Sequence, residues 1–231
     1  KKNRLTRKMI DEALAHRPPL TGIVPENERP EYGQHYRRLA AEQKKASAPA
    51  VIEPQFSAPQ KGRQEVVLLG SAGQRVITAG ELLCIAGLTA GMQTTQKNEY
   101  NITVLRGPSI SELILSPRDI DFTGIETPNV VVALDQEGVD RRRDLFQHLT
   151  KKSLIIQVPG VRLPDSTARI HQVDFKARGI KRSDWALASL AVLAGHNRVI
   201  SADMLMSALK VKFRGDTRQA ALSLVNQLVT H

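Results

Sequence analysis

Residues 66–83 read VVLLGSAGQRVITAGELL. With Glu65 in front, the run EVVLLG is apolar without alternation, the pattern of a strand covered on both faces and therefore central in a parallel sheet. Gly70 and Gly73 interrupt it. Apolar residues resume in GQRVITAGELLCIAGL, where Val76, Leu82, Leu83 and Ile85 mark a helix that GLTAG (87–91) ends. A strand, a glycine turn and a helix in that order leave free backbone N–H groups at the positive end of a helix dipole, which is how many proteins hold a phosphate group.

The turn does not fit either nucleotide fingerprint. A dinucleotide site needs Gly-x-Gly-x-x-Gly, so that the pyrophosphate can approach the backbone and the helix can pack on the strand. Counting from Gly70, the second and third positions are Ala72 and Arg75. An acid about 20 residues further on, needed for the ribose hydroxyl, has only Glu99 in TTQKNEY to supply it. No Gly-Lys-Ser/Thr follows, which excludes a Walker loop. What remains is a helix N-terminus flanked by Gln74 and Arg75, read as reaching outward. It can hold an anion or serve only to shape the turn.

Away from the turn, strand and helix signals alternate. Further strands are expected at MQTTQ, SISELILS, NVVVALD, SLIIQVPG and RIHQVDF, with a helix at QEGVDRRRDLFQHL. The tail reads as three helices, SDWALASLAVLAG, SADMLMSALKVKF with Ser201 as its cap, and TRQAALSLVNQLV. This alternation predicts an α/β fold, an open, mostly parallel sheet with helices on both faces, over residues 64–231.

Residues 1–63 differ in character. They carry 13 Lys and Arg against 7 Asp and Glu, and 7 of the 12 prolines. Leu5, Met9, Ile10 and Leu14 share one helical stripe, which HRPPLTG stops. A second short helix is expected in GQHYRRLAAEQKK, and residues 46–62 read as an Ala/Pro/Ser/Gln linker. The segment is expected to be an extended basic arm that lies along a partner, since it has too few apolar residues to bury a core.

Composition bounds the partners and the chemistry. The chain has 231 residues, 41% hydrophobic, with a net charge of +10. Such a balance suits nucleic acid or acidic protein chains. Acidic partner chains are favoured, because aromatic residues are only 4% and no basic run interleaves with them as a stacking platform would require. One cysteine, Cys84, excludes an internal disulfide and any iron–sulfur cluster ligated by this chain alone. Its place inside ELLCIAGL reads as a small core hydrophobe in a reducing, cytoplasmic compartment. No apolar run approaches the ~20 residues that cross a bilayer, and no signal peptide precedes the basic start. The sequence opens on Lys1 without Met, which leaves room for residues upstream.

At this point the residues resemble a family. LLGSAGQRVITAGELLCIAG looks like the opening of the gamma subunit, or gamma domain, of 2-oxoacid:ferredoxin oxidoreductases, in which a strand runs into Gly-x-Gly-Gly-Gln-Gly and a Val-Thr-Ala-Gly/Ala-Glu-Leu-Leu helix. LRGPSISELILS, with Arg106, Gly107, Pro108 and Ser109, is similar to its Arg-Gly-Gly segment. ETPNVVVALDQEGV, SLIIQ and HQVDFKARGI follow in the family's order, so the resemblance covers about residues 64–229. Departures fall at Ala72, Arg75, Pro108, Ser183 and Ala188, where the family's pattern has glycine or, at Ser183, asparagine. The arm carries a fainter echo: PPLTGIVPENERPEYGQHYRRL is similar to the C-terminal tail of the thiamine-binding beta subunit.

The resemblance implies a noncatalytic subunit of a complex that converts a 2-oxoacid and coenzyme A to acyl-CoA, CO2 and a reduced acceptor. The complex would hold thiamine diphosphate, Mg2+ and [4Fe-4S] clusters, none bound by this chain. Its partners would be alpha and beta subunits, a ferredoxin-like subunit and, in some complexes, a flavin or NAD subunit. Gly70, Gly73, Gln74, Arg75, Arg106 and Ser109 are the residues expected to face coenzyme A or a neighbouring subunit, since arginine can grip phosphate bidentately. The alternatives are an independent dinucleotide-binding oxidoreductase, which Ala72 and Arg75 argue against, and a basic nucleic-acid-binding module acting through the arm.

Other chemistry-bearing residues read as structural. The six histidines lack ligand spacing, Arg141–Arg143 in DRRRD read as a solvated, ion-paired face, and Trp185 reads as core or interface. Ser71 and Ser109 show no His and Asp partners for hydrolysis.

Overall fold

The computed structural model describes residues 51–100 and 106–229. The expected arm helices and the beta-subunit echo therefore lie outside the described residues. The described residues from Ile52 onward form one compact unit. Within it the last residues of the predicted linker are fastened down: Gln55 and Phe56 donate backbone N–H bonds to the Thr89 carbonyl, and the Phe56 ring packs on the core.

Six strands form one sheet: β1 (Gln64–Ser71), β2 (Gln93–Tyr100), β3 (Pro108–Ser116), β4 (Val130–Ala133), β5 (Leu154–Gln157) and β6 (Arg169–Gln172). Their order is β2-β3-β1-β4-β5-β6. Parallel pairing joins β1 to β4, β4 to β5 and β5 to β6, whereas β3 is antiparallel to both β1 and β2. Five strands thus run one way and β3 alone is reversed. The expected mostly parallel α/β sheet is present, and β1 is central, flanked by β3 and β4. Val66, Val67, Leu68 and Leu69 are completely buried, as a strand covered on both faces requires.

Helix α1 (Val76–Leu88) follows β1, and α2 (Gln136–Arg141) follows β4. They cover opposite faces. Ser111 of β3 lies beneath Gly80 of α1, where an added Cβ would come within 2.3 Å of its Oγ, while the next residue, Glu112, bonds Arg142 just beyond α2. Alternate residues of a strand point to opposite faces, so these two neighbours identify the two layers. The predicted helix at 136–149 is α only to Arg141 and continues as a 3-10 segment, Arg143–His148, that buries Phe146. Helices α3 (Trp185–Gly195), α4 (Ala202–Lys212) and α5 (Gly215–Val229) close the fold, with α3 and α4 packed on α1. Small residues let α3 be buried on nearly every side, and Ser201 caps α4 by accepting from Met204 N–H.

Candidate functional site: the cleft beside the glycine turn

After β1 the chain crosses to the β2–β3 side of the sheet, and after β4 it crosses to the β5–β6 side. The switch lies between β1 and β4, where open α/β sheets take ligands at the carboxyl ends of the strands. A cleft of about 370 Å3 stands there, lined by Ser71, Ala72, Arg106, Gly107, Asp135, Glu137 and Arg182. Because β3 runs backwards, its beginning also reaches this end, and that is how Arg106 and Gly107 arrive beside Ser71.

The turn is built from inside. Gln74 is fully buried: its Oε1 accepts from Ser71 N–H at 2.8 Å and its Nε2 donates to the Leu134 carbonyl at 3.2 Å. The expectation that Gln74 reaches outward is therefore corrected; the side chain ties β1 to the end of β4. Gly70 is buried as well. A Cβ there would meet Val76 at 2.6 Å and the Gln74 carboxamide at 2.7 Å, so glycine allows the turn to fold back on the strand. Gly73 takes φ +87° and is exposed at the tip.

Arg75 occupies the left-handed region at φ 56° and opens α1 without a side-chain cap. The backbone takes a left-handed shape that glycine adopts freely, with the strain carried here by an arginine. Its guanidinium points away from the cleft, to Asp184 at 3.2 Å. Ser109 is buried in β3, opposite Gly70 on one side and Tyr100 on the other. Of the six sequence-predicted residues only Arg106 lines the cleft.

Three residues that sequence reasoning did not assign to the site complete it. Arg182 donates to Ser71 Oγ at 2.9 Å and to Asp135 Oδ2, while Asp135 Oδ1 accepts from Glu137 N–H at 3.1 Å and caps α2. The only early signal was Asp135 standing just before a helix; Arg182 is 111 positions from Ser71. The result is a cleft floored by a serine hydroxyl and an arginine–aspartate pair, with Arg106 at its mouth.

The other readings are settled by contacts. Glu99, the candidate ribose acid, is held by Arg141 and Arg142, and hydrogen bonding to Arg141 keeps its carboxyl below the usual range. Arg142 also bonds Glu112 at 2.8 Å, so Arg141 and Arg142 of DRRRD are ion-paired with the acids of β2 and β3. Burial opposes the Arg142 charge, but the bonds to Glu112 and Glu99 outweigh it and raise its pKa. Trp185 packs on Phe175 and donates to the Ile180 carbonyl.

Among the described residues no group of three or more His, Cys, Asp or Glu side chains could hold a metal ion. Cys84 is half-buried against the core, and burial pushes its thiol up to about 11. Among the described residues, no helix is long and apolar enough to cross a membrane.

Sheet order, switch point and cleft define an open α/β domain of the kind that receives ligands beside a glycine turn. Residues 65–224 match the family model described as pyruvate ferredoxin/flavodoxin oxidoreductase, and the chain belongs to that family. A 2-oxoglutarate synthase subunit KorC from Methanocaldococcus jannaschii is 34% identical over 85 residues, which is 36% of this chain and 46% of that protein. The chain spans less than half the length of the curated relatives it matches. Among solved structures, the gamma subunit of a keto/oxoacid ferredoxin oxidoreductase from Geobacter sulfurreducens aligns with a TM-score of 0.59 at 20% identity, over 73% of this chain and 97% of that one. A 2-oxoglutarate:ferredoxin oxidoreductase from Magnetococcus marinus, with 2-oxoglutarate, coenzyme A and succinyl-CoA bound, aligns with a TM-score of 0.61 at 17% identity, over 74% and 32%. At these identities the structural matches establish the fold.

Proposed function

We propose that the chain is the gamma subunit of a cytoplasmic 2-oxoacid:acceptor oxidoreductase complex dependent on thiamine diphosphate and iron–sulfur clusters. It is noncatalytic alone and docks on alpha, beta and ferredoxin-like subunits that supply the reactive groups, with a flavin or NAD subunit as a further partner. Residues 1–63 are its partner-binding arm and residues 64–231 its α/β domain. The observation that carries this reading is the family match across nearly the whole α/β unit.

The cleft is the coenzyme A-facing surface in this reading. Arg106 at its mouth and Arg182 on its floor supply guanidinium donors suited to a phosphate. Gly73 and Arg75 present the exposed side of the turn, while Gly70, Gln74 and Ser109 hold it from within. Thiamine diphosphate would supply the carbanion chemistry from another subunit; this chain's part is to position coenzyme A and exclude water.

Affinity purification of the chain from its native extract should recover a thiamine- and iron–sulfur-containing complex, with 2-oxoglutarate and an aromatic 2-oxoacid as the first substrates to assay. Turnover by the isolated chain would overturn the proposal. In the complex, Arg106→Gln should raise KM for coenzyme A by about tenfold, the loss of one charged hydrogen bond, with kcat little changed. An unaltered KM would make the cleft a subunit contact instead.

A further inference from the structure

The edge of the sheet opposite β2 carries a second cluster of charge. Arg169 and His171 stand on β6, and His196 and Arg198 follow α3. His196 Nε2 and His171 Nδ1 are 2.7 Å apart, with the rings edge to face at 4.8 Å between centroids. Arg198 is anchored by a bond from Nη2 to the Lys152 carbonyl, and Arg178, in the loop after β6, flanks the pair. A depression of about 400 Å3 opens between Leu154, Arg169, Ile170, His171, His196 and Arg198. It shares no residue with the glycine-turn cleft.

This corner gathers two arginines and two histidines in one depression with no acid among them. Arg63, Arg75, Arg141, Arg142 and Arg182, by contrast, each meet a carboxylate. Among the described residues no carboxylate lies within 4.0 Å of Arg169, Arg178 or Arg198. Burial, then the proximity of His171, Arg198 and Arg169, lowers the His196 pKa, and no acid among the causes offsets them. Burial and Arg169 likewise lower that of Arg198. Like charges gathered in one depression repel, and a bound anion reverses the sign of that interaction.

The imidazole pair adds geometry. A neutral pair shares one proton between its facing nitrogens and turns one N–H outward, at His171 Nε2 or His196 Nδ1 according to tautomer. A single further proton makes both outer nitrogens donors. The pair thus gains a donor as it gains charge, beside two guanidinium forks. A cation is disfavoured at the same place, since a metal would face Arg169 and Arg198.

We propose that Arg169, His171, His196 and Arg198 form a binding site for a phosphate-bearing anion at the β6 edge, separate from the glycine-turn cleft. Affinity rises as pH falls, because the second outward N–H exists only on the protonated pair. The groups facing the pair are Arg169 from β6, Arg198 after α3, Arg178 from the loop beyond β6, and the Lys152 carbonyl bound to Arg198.

The test is titration of the full chain with inorganic pyrophosphate, read by the histidine ring resonances in NMR and by calorimetry at pH 6 and pH 8. Shifts confined to His171 and His196, tighter binding at pH 6, and about tenfold weaker binding or more in R169Q/R198Q are expected. Arg118→Gln, at an exposed arginine elsewhere, should bind like the parent. R169K/R198K, which keeps the charges and loses the forks, should fall between. Pyrophosphate affinity unchanged in R169Q/R198Q, or lost in Arg106→Gln instead, would overturn the site. A parallel titration with adenosine 3′,5′-bisphosphate identifies the source: competition with pyrophosphate at His171 assigns the phosphate to a nucleotide, and its failure assigns it to a free oligophosphate.

Discussion

At the scale of single residues, Gln74 holds the glycine turn from within. Its carboxamide satisfies one buried donor at the end of β1 and one buried acceptor just beyond β4, Ser71 N–H and the Leu134 carbonyl. An apolar replacement of similar size leaves both without a partner in the protein interior. Gln74→Leu is therefore expected to cost about 3 kcal/mol, as two orphaned polar groups should, measured as a fall in the midpoint of urea unfolding. A change below about 0.5 kcal/mol would show that water reaches the turn. The sequence showed a glutamine after glycine but not its direction, because an outward and an inward rotamer fit the same three letters.

Among the elements, α2 is a helix of six residues held by close approach and by charge. Gly138 presses on β1 so tightly that an added Cβ would lie 2.6 Å from Gly70 N and 2.7 Å from the Leu69 carbonyl carbon. Backbone cannot give way as a side-chain tip can. Gly138→Ala should destabilise the domain by about 1–3 kcal/mol, the range of an overpacked core, and the thermal midpoint checks it. The elements themselves were mostly legible: the β1 run, the Ser201 cap and the closing helices each follow from local pattern. Reversal of β3 was not, since SISELILS reads alike in either direction, and its partners were decided by the sheet rather than by the strand.

Across the whole molecule, the ion pairs of Arg142 with Glu99 and Glu112 fasten the α2 face to β2 and β3. The Glu99 carboxyl titrates below its ordinary value because of Arg141, and then Arg142. A depressed folded pKa means that this contribution is fully present above the unfolded value and is lost as pH falls through the folded one. Thermal midpoints recorded from pH 7 down to pH 3 should drop, and Glu99→Gln should make the drop shallower. An identical slope in the variant would mean that Glu99 adds nothing to acid stability.

By itself the sequence determined the fold class, the central strand, the glycine turn and the family, because those depend on apolar period, turn chemistry and short motifs that neighbours in the chain spell out. Only the tertiary structure decided the site. Ser71, Arg106, Asp135 and Arg182 meet because β1, the reversed β3, the head of α2 and the segment before α3 converge at one end of the sheet, and His171 meets His196 for the same reason at its edge. Contacts between residues tens of positions apart are fixed by strand order and direction, and no local pattern encodes either.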